Sequence, residues 1–463
     1  MKALETAGDV CLFVLGDEGV LFSETRQELY TLNTSATLLW CLLEEGASLD
    51  SLVDAYARTF GLTGPAAEQH VYPILRRWFG LGHLSDPAVP GAGQMPLSEA
   101  LACLLTNARL RARFREAPDD VGAALGVVEE DRRALLMLDP DALDCQADEI
   151  TEHRSLKRQG VPAGVVSLDA TELLAAAASV PWQTDTMQRF YRVLDTTFQV
   201  TISPALAARV HAVLLHLAVD AGPADVLLHV RESNGGCVIF DGLVPVAWHE
   251  TPAGLVPSLK ILLRRFAVAR HRYFMEIHAG VVRLGEDVLL LPGSAGHGKT
   301  TLTAALVHSQ GVYFSDEIAL LEENSLGVCP MPLAMTIKPG SVDPLLDLYP
   351  GVGTLDEHLR EDHQPVRYLP PPRDRWEREQ TARPAKWVVF PHYERGAETV
   401  AVELSAAQGL KRLLDESLVL PALLDRRNVA MLVSWARQLA FYDLRLSSLD
   451  AGVQAIRGIA NGE

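Results

Sequence analysis

One short run, Gly293-Ser-Ala-Gly-His-Gly-Lys-Thr300, narrows what this 463-residue chain can become. It meets the spacing GxxxxGK[ST] without exception. The apolar residues Val288–Leu291 before it predict a buried strand. Thr301–His308 after it predicts a helix with Gly311 as its C-cap. Glycines in such a turn let backbone N–H groups close around phosphate oxygens, and the helix N-terminus adds its dipole. Gly293, Ser294, Ala295, Gly296, His297, Gly298, Lys299, Thr300 and Thr301 are therefore the expected nucleotide-binding residues. Lys299 is expected to reach the β- and γ-phosphates of ATP, and the Thr300 hydroxyl to ligate Mg²⁺. His297 reads as loop filler.

Val312–Leu321 predicts a second strand with Asp316 and Glu317 in its middle. Adjacent strand residues face opposite sides, so only one turns readily toward the phosphates unless the strand bulges. A carboxylate there can hold Mg²⁺ or take the proton of an attacking hydroxyl. Upstream, His278–Leu284 predicts a strand that reaches the loop strand through Gly285-Glu-Asp287, a tight hairpin in place of a crossover. Lys338 and Ser341 lie in a Pro-Gly turn near the expected site. Arg360–Arg383, with Arg367, Arg373, Arg375 and Arg378 among prolines, reads as a mobile loop able to close over ATP or a peptide.

Charge excludes one large class of partner. Lys+Arg number 41 and Asp+Glu 59, so the net charge is 41 − 59 = −18. A nucleic-acid surface needs a basic stripe, and none is expected here. No apolar run is long enough for a membrane span. The six cysteines form no CxxC and no Cys/His cluster. With no signal peptide discerned at the N-terminus, they point to a cytoplasmic protein.

Pro- and Gly-rich breaks at Asp86–Pro96 and Gln159–Gly164 divide the chain. Val10–Leu15, Gly19–Phe22 and Glu28–Leu32 predict strands. Ser35–Glu44, a helix capped by Ser48, and about Ala66–Phe79 predict helices. Between the breaks, Leu97–Arg115, Val121–Leu125, Glu129–Met137 and Pro140–Glu152 predict further helices. Arg109, Arg111, Arg113 and Arg115 alternate across helix faces, so they read as a salt-bridged solvated surface and not as a phosphate clamp.

Two resemblances follow. Leu29-Tyr-Thr-Leu-Asn-Thr-Ser-Ala-Thr-Leu-Leu-Trp40, then Glu45-Gly46, Leu49–Phe60 and Leu81-Gly-His-Leu84, resemble the PqqD family of RiPP recognition elements. That resemblance implies capture of a precursor-peptide leader as an added strand against the third helix. Pro73, inside that helix, departs from the pattern. The chain His278-Ala-Gly-Val, Gly293–Thr300, Ser315-Asp-Glu-Ile318 resembles HPr kinase/phosphorylase and its relatives over about 186–463. It implies Asp316 as general base, Thr300, Asp316 and Glu317 as Mg²⁺ ligands, and His278 beside the acid. The expected fold is a multidomain α+β and α/β chain. It comprises a winged-helix-like PqqD module (1–86), a helical middle segment (97–158) and an HPr-kinase-like P-loop domain (186–463). The expected function is an ATP-dependent kinase of a leader-bound precursor peptide in lasso-type maturation. A nucleotide-switched peptide chaperone and a kinase of a small molecule or HPr-like protein are the alternatives. A homo-oligomer is left open, because the family is hexameric and this chain carries an added N-terminal half.

Overall fold

The computed structural model describes residues 4–84, 95–144, 146–147, 170–181, 184–233, 236–294, 296–416, 418–419 and 424–462. Both expected linkers, Ala295 and Cys145 lie wholly or largely outside these residues. The chain forms two compact units. The first holds Met1–Gln159 with two downstream segments, Ala406–Lys411 and Leu423–Arg437. The second holds Gly160–Ser405, Arg412–Ala422 and Gln438–Glu463. The helical middle segment, expected as a separate part, belongs to the first unit.

In the first unit β1 (Val10–Leu15), β2 (Glu18–Ser23) and β3 (Glu28–Leu32) form an antiparallel sheet in that order, with Val10 opposite Ser23 and Gly19 opposite Leu32. Three helices follow: α1 (Thr34–Glu44), α2 (Leu49–Phe60) and α3 (Gly64–Gly80). Asn33 caps α1 by accepting from Ala36 N, and Ser48 caps α2 by accepting from Ser51 N. α3 runs on through Pro73.

The expected helix Leu97–Arg115 is broken into α4 (Leu97–Thr106) and α5 (Ala108–Glu116). Asn107 breaks it. Its Nδ2 donates to Gly80 O at 3.0 Å and its Oδ1 accepts from Leu110 N at 3.1 Å, so it caps α5 while anchoring it to α3. α6 (Pro118–Leu125) and α7 (Glu129–Leu136) complete the layer. A Cβ on Gly80 would lie 2.6 Å from Cys103 Sγ and 2.9 Å from Leu125 Cδ2, so glycine lets α4 and α6 close on α3. Leu21, Trp40, Leu52 and Leu75 then share one core with Leu104, Phe114 and Leu125. Arg111 meets Asp144 at 2.6 Å, and Arg115 meets Asp141 and Asp144 at 2.7 and 2.9 Å, as a salt-bridged surface requires. The downstream segments dock by specific bonds. The Gln27 amide donates to Leu424 O at 2.8 Å and accepts from Leu424 N at 2.7 Å. Helix Arg426–Ala436 lies along β1, with Arg426 donating to Gly8 O at 3.2 Å.

Among the described residues the second unit contains four sheets. β4 (Met187–Val193), β5 (Thr196–Ile202), β6 (Val226–Ser233), β7 (Gly236–Asp241) and β8 (Val244–His249) form one in that order. Helix α8 (Ala170–Ser179) packs on β8, and α9 (Pro204–Leu214) crosses between the parallel pair β5 and β6. Helix α10 (Leu255–Ala269) leads to β9 (Tyr273–Ile277), β10 (Ala279–Leu284) and β11 (Asp287–Pro292). As expected, β10 and β11 are an antiparallel hairpin. The remaining strands are β12 (Val312–Ser315), β13 (Ala319–Glu322), β14 (Val328–Cys329), β15 (Met335–Ile337), β16 (Glu357–Leu359), β17 (Pro365–Leu369), β18 (Ala385–Tyr393), β19 (Val400–Leu404), β20 (Leu418–Val419) and β21 (Ala440–Leu446). The central sheet runs β12-β10-β11-β18-β21-β19, and its neighbours are β14-β13-β9-β20 and β15-β17-β16. Val288 to Leu291 are fully buried because β11 is flanked by strands on both edges and covered on its faces. Gly280 is packed tightest: a Cβ there would stand 2.1 Å from Thr303 Oγ1 of helix α11 (Lys299–His308).

Candidate functional site

The loop after β11 turns by left-handed backbone at three glycines, with φ of 149° at Gly293, 93° at Gly296 and 83° at Gly298. Only glycine adopts such angles without strain. Gly298 is the N-cap of α11, and no side chain caps its first turn among the described residues. The helix therefore presents uncapped backbone donors and its positive end toward the loop. The helix begins at Lys299, two residues before the expected start. Gly311 is not its cap. Gln310 takes the left-handed angle (φ 102°), and Gly311 is needed because a Cβ would meet Val282 Cγ1 at 2.5 Å.

Lys299 is buried, and its ammonium donates to Gly293 O at 2.6 Å and Ser294 O at 2.9 Å, folding the loop over it. Burial and the charge of Lys338 pull its pKa down to about 8, against the opposing pull of Asp316. Thr300 is half-buried at the loop's edge. Thr301 Oγ1 donates to Ser341 Oγ at 2.9 Å. Ser341 lies in α12 (Pro339–Leu345), whose N-cap is Lys338, so the expected turn is the start of a helix. The rings of His297 and His392 meet edge to face at 5.1 Å.

The acidic pair does not lie within one strand. β12 ends at Ser315, Asp316 and Glu317 fall in a bend, and the chain resumes as β13 in another sheet. The bend cancels the strand alternation, so both carboxylates reach the same neighbours. Asp316 Oδ2 accepts from Thr336 N at 2.8 Å, and Glu317 Oε1 accepts from Thr336 Oγ1 at 2.8 Å. Asp316 is closed in, with 2 % of its side chain exposed, whereas Glu317 is open at 33 %.

Between them sits Lys260 of α10, a residue to which sequence reasoning assigned no role. Its Nζ donates to Thr336 Oγ1 at 2.6 Å and lies 3.3 Å from Glu317 and 3.9 Å from Asp316. The signal was a lysine in the apolar stripe Val256, Leu259, Leu263 and Ala267, all of them buried. Burial pushes Asp316 up to about 6, against Lys260. Burial also pushes Glu317 upward, but Lys260, Arg264 and Thr336 outweigh it and hold it at about 2. The Tyr313 hydroxyl lies within donating distance of both Leu333 O at 2.6 Å and Asp316 Oδ1 at 3.0 Å, and its bond to the carboxylate, like that from Thr336 N, works against the upward push of burial.

His278 Nδ1–H donates to Glu317 O at 2.8 Å, fixing the backbone of the bend. Protein crowding around the otherwise exposed ring, together with Lys299, holds its pKa below the usual histidine range. Lys299, Asp316, Glu317 and His278 thus share one region, linked by hydrogen bonds or mutual charge. Three arginines of the expected mobile loop have partners of their own. Arg367 lies in β17 and binds Leu355 O and Glu357, Arg375 pairs with Asp374, and Arg378 stacks on Trp376. Among the described residues no cluster of three His, Cys, Asp or Glu side chains could hold a metal by itself.

A second concavity lies in the first unit. A cavity of about 470 Å³ runs beside β3 and α3, lined by Tyr30, Leu32, Ile74, Arg77, Trp78 and His83 among others. Trp40 packs edge to face on Trp78 at 5.1 Å, and Tyr30 on His83 at 4.6 Å. His83 Nδ1 is 3.0 Å from Arg26 Nη2, and burial with this guanidinium lowers its pKa to about 3, so the ring is neutral. β3 pairs only with β2 among the described strands, leaving its outer edge toward the cavity without a strand.

Residues 18–84, from β2 through α3, match the model of the PqqD family, described as coenzyme PQQ synthesis protein D. The N-terminal part of the chain is thus a PqqD domain of the RiPP recognition element type, and such domains bind precursor peptides. Comparison with curated proteins returns no match. No helix among the described residues is long and apolar enough to cross a membrane.

Proposed function

We propose that this chain is an ATP-dependent peptide kinase. The PqqD domain captures a ribosomally made precursor peptide by its leader, and the second unit phosphorylates a Ser or Thr hydroxyl on it during RiPP maturation of the lasso type. One observation carries the reading: a buried lysine at the head of a glycine-turned helix shares its field with a buried acid held near neutrality. The loop fits a nucleotide, since three left-handed glycines and an uncapped helix start form an anion cradle. Lys299 would exchange its two carbonyl partners for β- and γ-phosphate oxygens. Thr300 with Asp316 or Glu317 would hold Mg²⁺, which when bound neutralises phosphate charge.

The reaction then needs one proton acceptor. The hydroxyl oxygen bonds to the γ-phosphorus, the bond to the β–γ bridging oxygen breaks, and the hydroxyl proton passes to Asp316. A carboxyl with a pKa of about 6 is ionised at pH 7 yet basic enough to share that proton. Leader capture raises the local concentration of the acceptor, so the catalytic cleft needs little affinity for it.

A second reading has one observation in its favour: both oxygens of Asp316 already have hydrogen-bond partners. On that reading nucleotide binding only switches the shape of a peptide chaperone. Incubation with labelled ATP, Mg²⁺ and a Ser- and Thr-containing peptide that the full-length protein captures, read by mass spectrometry, separates the two. A gain of one phosphoryl group supports the kinase. Lys299→Ala is expected to abolish the gain while peptide capture persists, and retained transfer would refute the mechanism.

A further inference from the structure

The cavity beside β3 is not walled by the PqqD domain alone. Ala407, Gln408 and Lys411, from the downstream segment Ala406–Lys411 of the same unit, line it too. Its lining includes the basic side chains Arg77 on α3 and Lys411 on the downstream segment, against the acidic Glu18 on β2. His83 is neutral. On a chain of net charge −18, this lining carries a cationic excess. Arg77 has Glu99 at 4.0 Å and Lys411 also has a partner, but both cations are exposed, and pairs at exposed positions exchange readily for another carboxylate. The β3 edge supplies main-chain donors and acceptors, and Trp78, Ile74 and Leu32 supply an apolar floor.

We infer that the groove takes an extended peptide segment bearing an acidic side chain, which Arg77 and Lys411 read from the PqqD domain and from the downstream segment. This rests on the reading of residues 18–84 as the precursor-binding domain. It has a consequence the domain alone does not carry: part of the selectivity lies more than three hundred residues away in the chain, on Lys411.

The test uses the full-length protein and a displayed library of random 16-residue peptides. Captured peptides are expected to be enriched in Asp or Glu. Affinity for a captured peptide should fall about 10-fold on Lys411→Glu and on Arg77→Glu, and should fall as salt is raised. Lys411→Glu is expected to recover affinity for the same peptide with its acid changed to Lys. Thermal melts check that both variants, at exposed positions, stay folded. Captured peptides without acidic enrichment, or unchanged affinity in both folded variants, overturn this inference and leave the PqqD reading standing. Failure to capture any peptide overturns the PqqD reading itself, and this inference with it.

Discussion

Asp316→Asn isolates the role of the buried acid. Asparagine matches the shape of the neutral carboxyl: its Oδ1 can accept from Thr336 N, and its Nδ2 can donate to the Tyr313 oxygen. The substitution therefore keeps the contacts and removes only the charge. The Asp316 pKa rises on folding from the ordinary 3.8 to about 6. A raised pKa contributes stability that is fully present below the unfolded value and is lost as pH rises through the folded one. At about 1.4 kcal/mol per pH unit, ionising this group costs the native state about 3 kcal/mol by pH 7.

Glu317 acts in the opposite sense and elsewhere. Its pKa is lowered to about 2, so its contribution is complete above 4.5 and is lost only in stronger acid. Between pH 5 and 7 Asp316 thus dominates the difference. Urea unfolding of both proteins at pH 4 and pH 7.5 is expected to show near-equal stability in acid. At the higher pH the variant should be more stable by about 2–3 kcal/mol. Phosphoryl transfer should fall by about 10²–10⁴-fold, the usual loss when a general base is removed. A stability difference that does not change with pH, or a variant less stable at pH 7.5, would refute the reasoning about the buried acid.

Three further outcomes are expected. Lys260→Met leaves two carboxylates facing each other and should cost about 3–5 kcal/mol at pH 8. The loss should be smaller at pH 5, where Asp316 is neutral, and urea melts at both pH values check it. Gly280→Ala drives a methyl into Thr303 Oγ1 and should cost about 1–3 kcal/mol, with recovery in the double variant Gly280→Ala/Thr303→Ala. Gln27→Ala removes both bonds to the Leu424 backbone and should lower stability by about 1–3 kcal/mol, measured by the same melts.

How far the sequence could be read followed the range of the forces involved. The glycine turn was legible because left-handed backbone is dictated residue by residue, at Gly293, Gly296 and Gly298. The β10–β11 hairpin was legible for the same reason, since Gly285 takes its tight turn at φ 65°. The break between α4 and α5 was not, because Asn107 caps only when Gly80 O is there to receive its amide. The bend at Asp316 was misread as strand because Val312–Leu321 is apolar on both sides of it. What turns the chain is Thr336, twenty residues on, which bonds both acids at once. Lys260 was the hardest to place, as periodicity reports only that its helix face is buried. A lysine on a buried face needs a counter-charge, and here the bend supplies two, one closed in and one open. One buried cation facing two acids is what spreads their titration, lowering Glu317 while Asp316, the more deeply buried, keeps its proton to about pH 6. That separation is the chemical asset of the site, and it depends on a residue that no local motif contains.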